Sequence, residues 1–426
     1  MSFAKSAFKR SVRLLALASS IWKEEAIRYL GIQDLTPARM KQAGLLIEEL
    51  GKLKGAAMKF GQILALESRD FFPEPVVAIL ETLQNQAKFL DHAEVEAILW
   101  EELKEKRTLL QEIAYLPIAA ASIGQVHRAR YNDKGVAVKI QYPGILESFD
   151  SDLKILDSIL SLLSPLVGKS DTDYTVMLDE IKSSFKKEAD YTLEAQNTVR
   201  YKTLAQNLAY VRVPEVFLEV SSARVLTLSF EEGISLSQAL KDKLLTPDLR
   251  RHYAELFLKL YLTEFCSWGF VQTDPNLGNF LLDLPRRDLV LLDFGATREF
   301  GVNFRHLYSK LVMASVREDR AACIDLSIEL NLLDPRESNV AKDSLFELLK
   351  LSMRPFKASH FELNSNAYTQ EMKALAIKLV RELKFSPPPK DLIFLHRKLG
   401  GIFQILRRLE VTLDLRAGLQ AFEEQI

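Results

Sequence analysis

The composition of the chain limits the classes of protein to which it can belong. Its 426 residues include 56 lysines and arginines and 57 aspartates and glutamates, so its formal net charge of -1 gives no general attraction to nucleic acid. Hydrophobic residues make up 48% and charged residues 27%, which suits a large core and excludes a disordered chain. Cys266 and Cys323 lie far apart and outside any C-x-x-C, so the sequence indicates no disulfide framework or zinc site and fits a reducing compartment.

Residues 1–23 are basic, free of acidic residues and interspersed with large apolar side chains. As a helix, this segment is amphipathic and of the type that lies on an anionic membrane surface. It is also similar in composition to a mitochondrial presequence. An ordinary first helix packed on the body of the protein is the third interpretation. No run of about 18 apolar residues occurs, so the sequence predicts no membrane-spanning helix.

Helical and strand patterns follow one another in long blocks. Residues 1 to about 110 are predicted to be mostly helical and 111–142 to be rich in strands, ending at the turn signal of 142–144. The elements predicted after this turn are, in chain order, helices over 145–165 and 174–207, a strand over 224–230, helices over 235–244 and 247–268, two short strands around 279–293, and helices from 303 to the end.

An alanine-rich turn opens the strand-rich block. Ala119, Ala121 and Gly124 occupy the three glycine positions of the kinase lid pattern G-x-G-x-x-G-x-V. Such a lid comes close to ATP phosphates because glycine has no Cβ. A polar turn at 132–135 follows, and then a β-branched run that places Lys139 on the second strand. An alanine-rich turn is ordinary packing in most proteins, so its interpretation depends on the motifs downstream.

Two motifs with kinase spacing follow the long predicted helix of 247–268. Asp274 and Asn279 form D-x-x-x-x-N, the spacing of a kinase catalytic loop, and Asp293 begins D-F-G after an apolar strand. Asn279 and Asp293 offer the hard oxygen ligands that Mg²⁺ prefers, and Asp274 can orient or deprotonate an attacking hydroxyl or water. A lid, a strand lysine and both motifs in this order predict a phosphoryl-transfer site that binds ATP or ADP with Mg²⁺.

The strand lysine needs a partner. Lys139 is predicted to bind the α- and β-phosphates, and in kinases a helix glutamate holds this lysine. Glu194 is the best candidate, because it lies four residues after Asp190 and so shares a predicted helix face with it, whereas Glu188 points elsewhere. The alternative is that Glu194 lies on a solvated helix face.

These motifs resemble the UbiB-type atypical kinase family, which includes the bacterial AarF/UbiB proteins and the mitochondrial kinases of ubiquinone biosynthesis. The family's alanine-rich lid is matched by residues 119–127, and the tail over 385–401 resembles the mitochondrial branch. The family's K-x-G-Q signature, which ordinary kinases lack, and its E-x-D signature are matched by Lys59, Gly61, Gln62, Glu188 and Asp190. The resemblance implies that the K-x-G-Q helix covers the site where a protein substrate docks on an ordinary kinase.

The resemblance also implies an α+β, two-lobed, protein-kinase-like fold. Its expected regions are a helical N-terminal extension with K-x-G-Q (1–110), an N-lobe with inserted helices (111–232) and a mainly helical C-lobe with the catalytic loop and D-F-G (233–426). The residues expected to contact the nucleotide belong to the lid, the strand lysine and the end of the strand at 224–230; they are Ala119, Ala120, Ala121, Ser122, Gly124, Gln125, Lys139 and Glu231.

The chain departs from the family in its catalytic loop, whereas its alanine-rich lid matches that of the family. Many bacterial members read H-A-D-P-H-P-G-N, whereas residues 272–279 read Q-T-D-P-N-L-G-N. Asp274 and Asn279 are kept, but Asn276 excludes a role for histidine there. Alanine in the lid restricts positive φ, which predicts a different nucleotide pose, slower phosphoryl transfer, or both.

As a function, the resemblance implies an ATP-binding atypical kinase or ATPase that supports ubiquinone biosynthesis. It would act peripherally at a membrane surface, in a bacterial cytoplasm or the mitochondrial matrix, with quinone-biosynthesis enzymes or lipid-like quinone precursors as partners. A homodimer stays open, and no nucleic acid is expected. The alternative is a nucleotide-sensing, pseudokinase-like scaffold for the same enzymes. An ordinary protein kinase is disfavoured by the alanine lid and by the absence of an A-P-E signature.

Overall fold

The computed structural model of the chain separates into two compact units. The residues that the structure describes are 89–121, 123–145, 185–186, 188–357, 361–362, 366–386 and 390–426. Of the described residues, the N-terminal unit holds those up to 130 and those within 138–190 and 222–225, and the C-terminal unit holds those within 131–137, 191–221 and 226–426. The basic segment 1–23, the K-x-G-Q signature and Ser122 lie outside the described residues, so the expectations about them stay predictions, as do the three predicted regions.

Helices and strands alternate in the first half of the described chain, and helices dominate the second half. The α-helices are α1 (His92–Leu103), α2 (Tyr191–Ala205), α3 (Leu236–Lys241), α4 (Pro247–Leu262), α5 (Val302–Arg317), α6 (Arg320–Glu329), α7 (Asn339–Ser352), α8 (Arg354–Lys357), α9 (Asn366–Glu382), α10 (Lys390–Leu409) and α11 (Ala417–Glu423). Short 3-10 turns cover Lys104–Leu109, Leu218–Val220 and Leu277–Asn279, and a π-helical turn covers Thr263–Trp268. The predicted α+β class is confirmed.

The strands are short and pair mainly antiparallel. They are β1 (Ala119–Ala121), β2 (Gly124–Tyr131), β3 (Lys134–Gln141), β4 (Val211–Arg212), β5 (Val225–Ser229), β6 (Ile234–Ser235), β7 (Phe270–Gln272), β8 (Phe280–Asp283), β9 (Asp288–Leu291), β10 (Thr297–Glu299), β11 (Phe361–Glu362) and β12 (Thr412–Leu413). They form two four-stranded sheets, in the orders β1-β2-β3-β5 and β4-β9-β8-β6, and two-stranded ribbons β10-β7 and β11-β12.

Local sequence explains where the N-terminal elements begin and turn. Helix α1 starts at a capping box in which the Asp91 carboxylate accepts from the Glu94 N–H (3.0 Å) and the Glu94 carboxylate accepts from the Asp91 N–H (2.9 Å). Asn132 and Asp133 both have positive φ, 48° and 60°, between β2 and β3. These residue types tolerate that conformation, which suits a two-residue hairpin turn. The predicted strand, turn, strand pattern is confirmed.

Helix α4 continues into the π-helical turn of Thr263–Trp268, and Gly269 ends that turn. Gly269 has φ of 64°, and a Cβ there would lie 2.8 Å from the Phe300 carbonyl oxygen. Only glycine fits this position without strain. The chain therefore leaves α4 sharply into β7, which leads to the predicted catalytic loop.

The core of the C-terminal unit is built from α4, α10 and the strands around the catalytic loop. Its largest fully buried side chains include Tyr201, Phe257, Phe265, Phe280 and Phe294. The tail is not wholly helical as predicted, because Phe361 pairs with Leu413 in the β11-β12 ribbon, a pairing too short to leave a period in the sequence. No helix among the described residues is long and apolar enough to cross a membrane.

Candidate active site

The residues of D-x-x-x-x-N meet in the loop between β7 and β8. The Asn279 side-chain amide donates to one oxygen of the Asp274 carboxylate at 2.7 Å, and the Asn276 N–H donates to the other at 3.3 Å. Asp274 is only 7% exposed. The loop thus holds the predicted base and the predicted metal ligand side by side, with the carboxylate fixed by two donors.

Backbone and side-chain hydrogen bonds fix the shape of this loop. Both the N–H and the hydroxyl of Thr273 donate to the Ala296 carbonyl, at 2.8 and 2.6 Å. The Asn276 side-chain oxygen accepts from the Gly278 N–H at 3.0 Å, which closes a tight turn. The Leu292 N–H donates to the Asn279 carbonyl at 3.0 Å, so the end of the loop is tied to the strand that precedes D-F-G.

The D-F-G motif follows β9, as its apolar strand predicted. The Asp293 carboxylate accepts from the Gly295 N–H at 3.0 Å, which fixes one of its oxygens. Phe294 is fully buried, with its ring centroid 4.6 Å from that of Tyr201. The Asn197 amide on α2 donates to the Phe294 carbonyl at 3.1 Å. Helix α2 therefore packs against D-F-G from inside the same unit.

A buried polar network lies beneath the catalytic loop, and sequence reasoning missed it. Lys398 is 1% exposed, and its Nζ lies 3.1 Å from both the Gln272 Oε1 and the Glu264 Oε2. The other Glu264 oxygen accepts from the Tyr201 hydroxyl at 2.7 Å and from the Gln272 N–H at 3.1 Å. Burial, and then the nearby Glu264 carboxylate, raise the pKa of Tyr201 well above 10, so its hydroxyl stays protonated as the donor.

A signal for this network does exist in the sequence. Helix α10 buries an apolar stripe that is spaced alternately by three and four residues, as an amphipathic helix requires. The stripe contains Leu395, Ile402, Ile405 and Leu409, and Lys398 is a charged residue buried within it, between Leu395 and Ile402. A lysine in that position indicates a buried partner on another element.

The structure changes the prediction for the acidic residues around α2. Glu194 is 2% exposed in the first turn of α2, so the solvated-face alternative is wrong. Asp190 is exposed and precedes the helix, which begins at Tyr191, so the prediction that it shares a helix face with Glu194 is also wrong. Glu188 is half-buried, and Lys139 is half-buried on β3 as predicted. The pairing of Lys139 with Glu194 stays a prediction.

The predicted lid is a β-hairpin. Ala119 pairs with Val126 and Ala121 with Gly124, and none of the three alanines from 119 to 121 has positive φ. Ala119 and Ala120 are exposed, whereas Gly124 is buried. The extended backbone agrees with the restriction that the alanine methyl groups predict. Nucleotide contact by these residues stays a prediction.

The side chain of Gln125 is used inside the N-terminal unit. Its oxygen accepts from the Leu90 N–H at 2.8 Å and its amide nitrogen lies 2.8 Å from the His127 Nε2. The His127 Nδ1 lies 2.9 Å from the Ala114 carbonyl oxygen. His127 therefore accepts at Nε2 and donates at Nδ1, which is the neutral form, and burial lowers its pKa. Any nucleotide contact by Gln125 falls to its backbone.

Glu231 belongs to a cluster of charges in the C-terminal unit. Its carboxylate accepts from the Ser229 hydroxyl at 2.8 Å and lies 3.7 Å from the Arg212 guanidinium, which also pairs with Asp283 at 2.9 Å. The predicted contact of Glu231 with the nucleotide stays a prediction.

The donor set of the loop suits Mg²⁺. Nowhere in the described ranges do three or more His, Cys, Asp or Glu side chains cluster as they would to hold a metal ion by themselves. Asn279 and Asp293 instead provide one amide oxygen and one carboxylate, and the Asp274 carboxylate lies beside Asn279. Mg²⁺ is commonly bound by one or two carboxylates, with water and substrate phosphates completing its shell. The residues present therefore fit an ion that arrives with a nucleotide.

Comparisons of the sequence and of the fold with known proteins both find similar proteins. Residues 82–327 match the model of the ABC1 atypical kinase-like domain. The rat protein named "Atypical kinase COQ8B, mitochondrial" is 33% identical over 375 residues, 87% of this chain and 70% of the rat protein. "Atypical kinase COQ8, mitochondrial" of Saccharomyces cerevisiae is 31% identical over 369 residues, 85% of this chain and 72% of that protein. The solved complex of Rv3197 with erythromycin from Mycobacterium tuberculosis is similar with a TM-score of 0.61 and 25% identity, covering 93% of this chain and 97% of that one.

Proposed function

Because the chain belongs to the ABC1 atypical kinase-like family and is a UbiB-type atypical kinase, we propose that it binds Mg-ATP and supports ubiquinone biosynthesis at a membrane surface. The predicted family and kinase-like fold are confirmed by these comparisons. The observation that carries the rest is the 2.7 Å hydrogen bond between Asn279 and Asp274. It holds side by side the two loop residues to which the proposal assigns the base and a metal ligand, and this supports a phosphoryl-transfer site.

Each residue of the predicted site has a separate role in this proposal. Mg²⁺, when bound with ATP, neutralises the charge that develops on the phosphate oxygens. The oxygens of Asn279 and Asp293 would hold the ion. Asp274, held by its two donors, orients an attacking hydroxyl or water and accepts its proton. Lys139 contacts the α- and β-phosphates, and Glu194 fixes that lysine.

The alanine hairpin sets the rate and the nucleotide preference. The backbone at 119–121 is extended, and its methyl groups disfavour the positive φ angles that a glycine lid uses. A different nucleotide pose, slower phosphoryl transfer, or both are the expected consequence. A scaffold that binds nucleotide without turnover is the second candidate, and the same hairpin is the feature that favours it.

Membrane association is assigned to the basic segment 1–23. Its five lysines and arginines stand without an acidic residue, so it has a charge that attracts anionic lipid. The rat and yeast relatives are mitochondrial, which supports the mitochondrial matrix as the compartment of this chain, whereas the similar structure of Rv3197 is bacterial and supports a bacterial cytoplasm. Quinone-biosynthesis enzymes or lipid-like quinone precursors are its partners there.

An ATP-hydrolysis assay on the purified protein tests this proposal. Phosphate release is measured with Mg²⁺, with EDTA in its place, and with anionic liposomes and quinone-precursor-like phenols added singly and together. We expect Mg²⁺-dependent release that rises with liposomes and phenols. Nucleotide binding without release under every condition would support the scaffold, and absence of both would contradict the proposal.

A further inference from the structure

Helix α10 lies outside the residues that match the kinase-like domain, yet it supplies a buried cation beneath the catalytic loop. The matched domain ends at residue 327, whereas Lys398 is in the middle of α10. Gly401 of the same helix packs directly on the loop, since a Cβ there would lie 1.9 Å from the Cβ of Pro275. The loop thus rests on a helix from the C-terminal tail.

Lys398 determines which way the Gln272 amide faces. An ammonium group has only hydrogen-bond donors, so the end of the amide 3.1 Å from it has to be the oxygen. The amide nitrogen then points away and donates to the Asp274 carbonyl at 2.8 Å, with a longer contact of 3.4 Å to the Asp293 carbonyl. One side chain therefore joins the backbone of the catalytic loop to that of D-F-G, in an orientation that the lysine selects.

Glu264 makes the buried cation tolerable. Its carboxylate faces the Lys398 ammonium, and its remaining contacts come from the Tyr201 hydroxyl and the Gln272 N–H. A buried charge persists only when it is paired and hydrogen-bonded. Glu264 is directed into the core from the π-helical turn of 263–268, a type of turn that is often found near functional sites.

We propose that Lys398 is a positioning residue. It acts through Gln272 to hold the backbones of Asp274 and Asp293 in fixed positions relative to each other. Its effect on turnover rests on the proposed function, whereas its effect on loop order does not. The requirement on residue 272 is chemical and not only steric: it must accept at one end and donate at the other. A neutral histidine meets this requirement, whereas methionine and glutamate do not.

Two sets of variants separate positioning from packing. Gln272→His, Gln272→Met and Gln272→Glu vary the donor and acceptor at one site, and the glutamate can still pair with Lys398. Lys398→Met combined with Glu264→Gln removes the cation without leaving its partner charged and buried. Lys378→Met, at an exposed lysine of α9, is the matched control. Thermal unfolding establishes that each variant folds.

Two measurements on the full chain then decide the proposal. We expect Gln272→Met, Gln272→Glu and the double variant to lower kcat by about tenfold to a hundredfold with little change in KM for ATP. We expect Gln272→His to retain most of the kcat of the unmodified protein. We expect hydrogen exchange of the loop amides 273–280 to rise by about tenfold in the impaired variants and to stay unchanged in helix α6 and in the control.

Unchanged loop exchange in the double variant, or a histidine variant as impaired as the methionine one, would overturn the positioning role. Absence of both nucleotide binding and Mg-ATP turnover in the unmodified protein would contradict the proposed function instead. The exchange measurement would in that case still decide whether Lys398 positions the loop.

Discussion

Gly401 and Gly400 are adjacent in helix α10 and differ in what lies in front of them. A Cβ on Gly401 would lie 1.9 Å from the Cβ and 2.5 Å from the Cγ of Pro275, whereas a Cβ on Gly400 would meet no heavy atom within 4 Å beyond its chain neighbours and the backbone of its own helix. Gly400→Ala is therefore expected to stabilise the helix by about 0.5–1 kcal/mol, the propensity difference between glycine and alanine. Gly401→Ala gains the same propensity but forces the loop and the helix apart.

The clash at Gly401 has an expected size. Adding a methyl group to a well-packed contact costs about 1–3 kcal/mol, so the two variants should differ by that amount in their free energy of unfolding. Because Pro275 follows Asp274 directly, the displacement is also transmitted to the catalytic carboxylate, and kcat should fall by about tenfold or more in Gly401→Ala alone.

Urea denaturation and steady-state ATP hydrolysis of the two variants measure both effects. The Gly400→Ala variant controls for helix propensity, since it lies one residue away on the same helix. If both variants changed stability and kcat to the same extent, the close packing of α10 on the catalytic loop would be refuted.

Three further predictions concern the N-terminal unit and the basic segment. Burial holds the pKa of His127 below its usual 6.5, so stability is greatest above about pH 6.5 and is lost as the pH falls toward the lowered folded-state pKa. The melting temperature between about pH 5 and 8 should show this loss in the unmodified protein and in His252→Asn, but less of it in His127→Asn; equal slopes in both variants would exclude His127 as the cause. Ala121→Gly should change the ratio of the ATP and ADP dissociation constants by up to about tenfold, or 1.4 kcal/mol, and equal shifts for both nucleotides would mean that the alanine serves only packing. Deleting residues 1–23 should weaken co-sedimentation with anionic vesicles and leave nucleotide affinity nearly unchanged; unchanged co-sedimentation would favour a docked first helix.

Local sequence was sufficient to predict much of the fold and of the candidate site. The β2-β3 hairpin was predictable because Asn132 and Asp133 suit positive φ, and the position of D-F-G because an apolar strand precedes it. The proximity of Asp274 and Asn279 was predictable because their spacing matches one loop. In each case the residues that determine the structure lie within a few positions of one another.

The features that the sequence did not predict depend mainly on contacts between distant segments of the chain. Lys398 and Gln272 are 126 residues apart, so no local period could join them, although the buried stripe of α10 indicated that the lysine needs a partner. The predicted helix of 174–207 wrongly includes Asp190, because helix periodicity does not mark where a helix begins. The β11-β12 ribbon was missed because two residues per strand leave no alternation to detect.

We propose above all that Asp293 belongs to a site that turns over Mg-ATP, and one pair of variants tests this most directly. Asp293→Asn removes a carboxylate from D-F-G while keeping its size, and Asp325→Asn makes the same change at an exposed position of α6. Phosphate release by the purified proteins, with the folded state of each verified by thermal unfolding, is the measurement. We expect Mg²⁺-dependent release to be abolished in Asp293→Asn and unchanged in Asp325→Asn. Normal release by folded Asp293→Asn would contradict a kinase-like metal site in this protein.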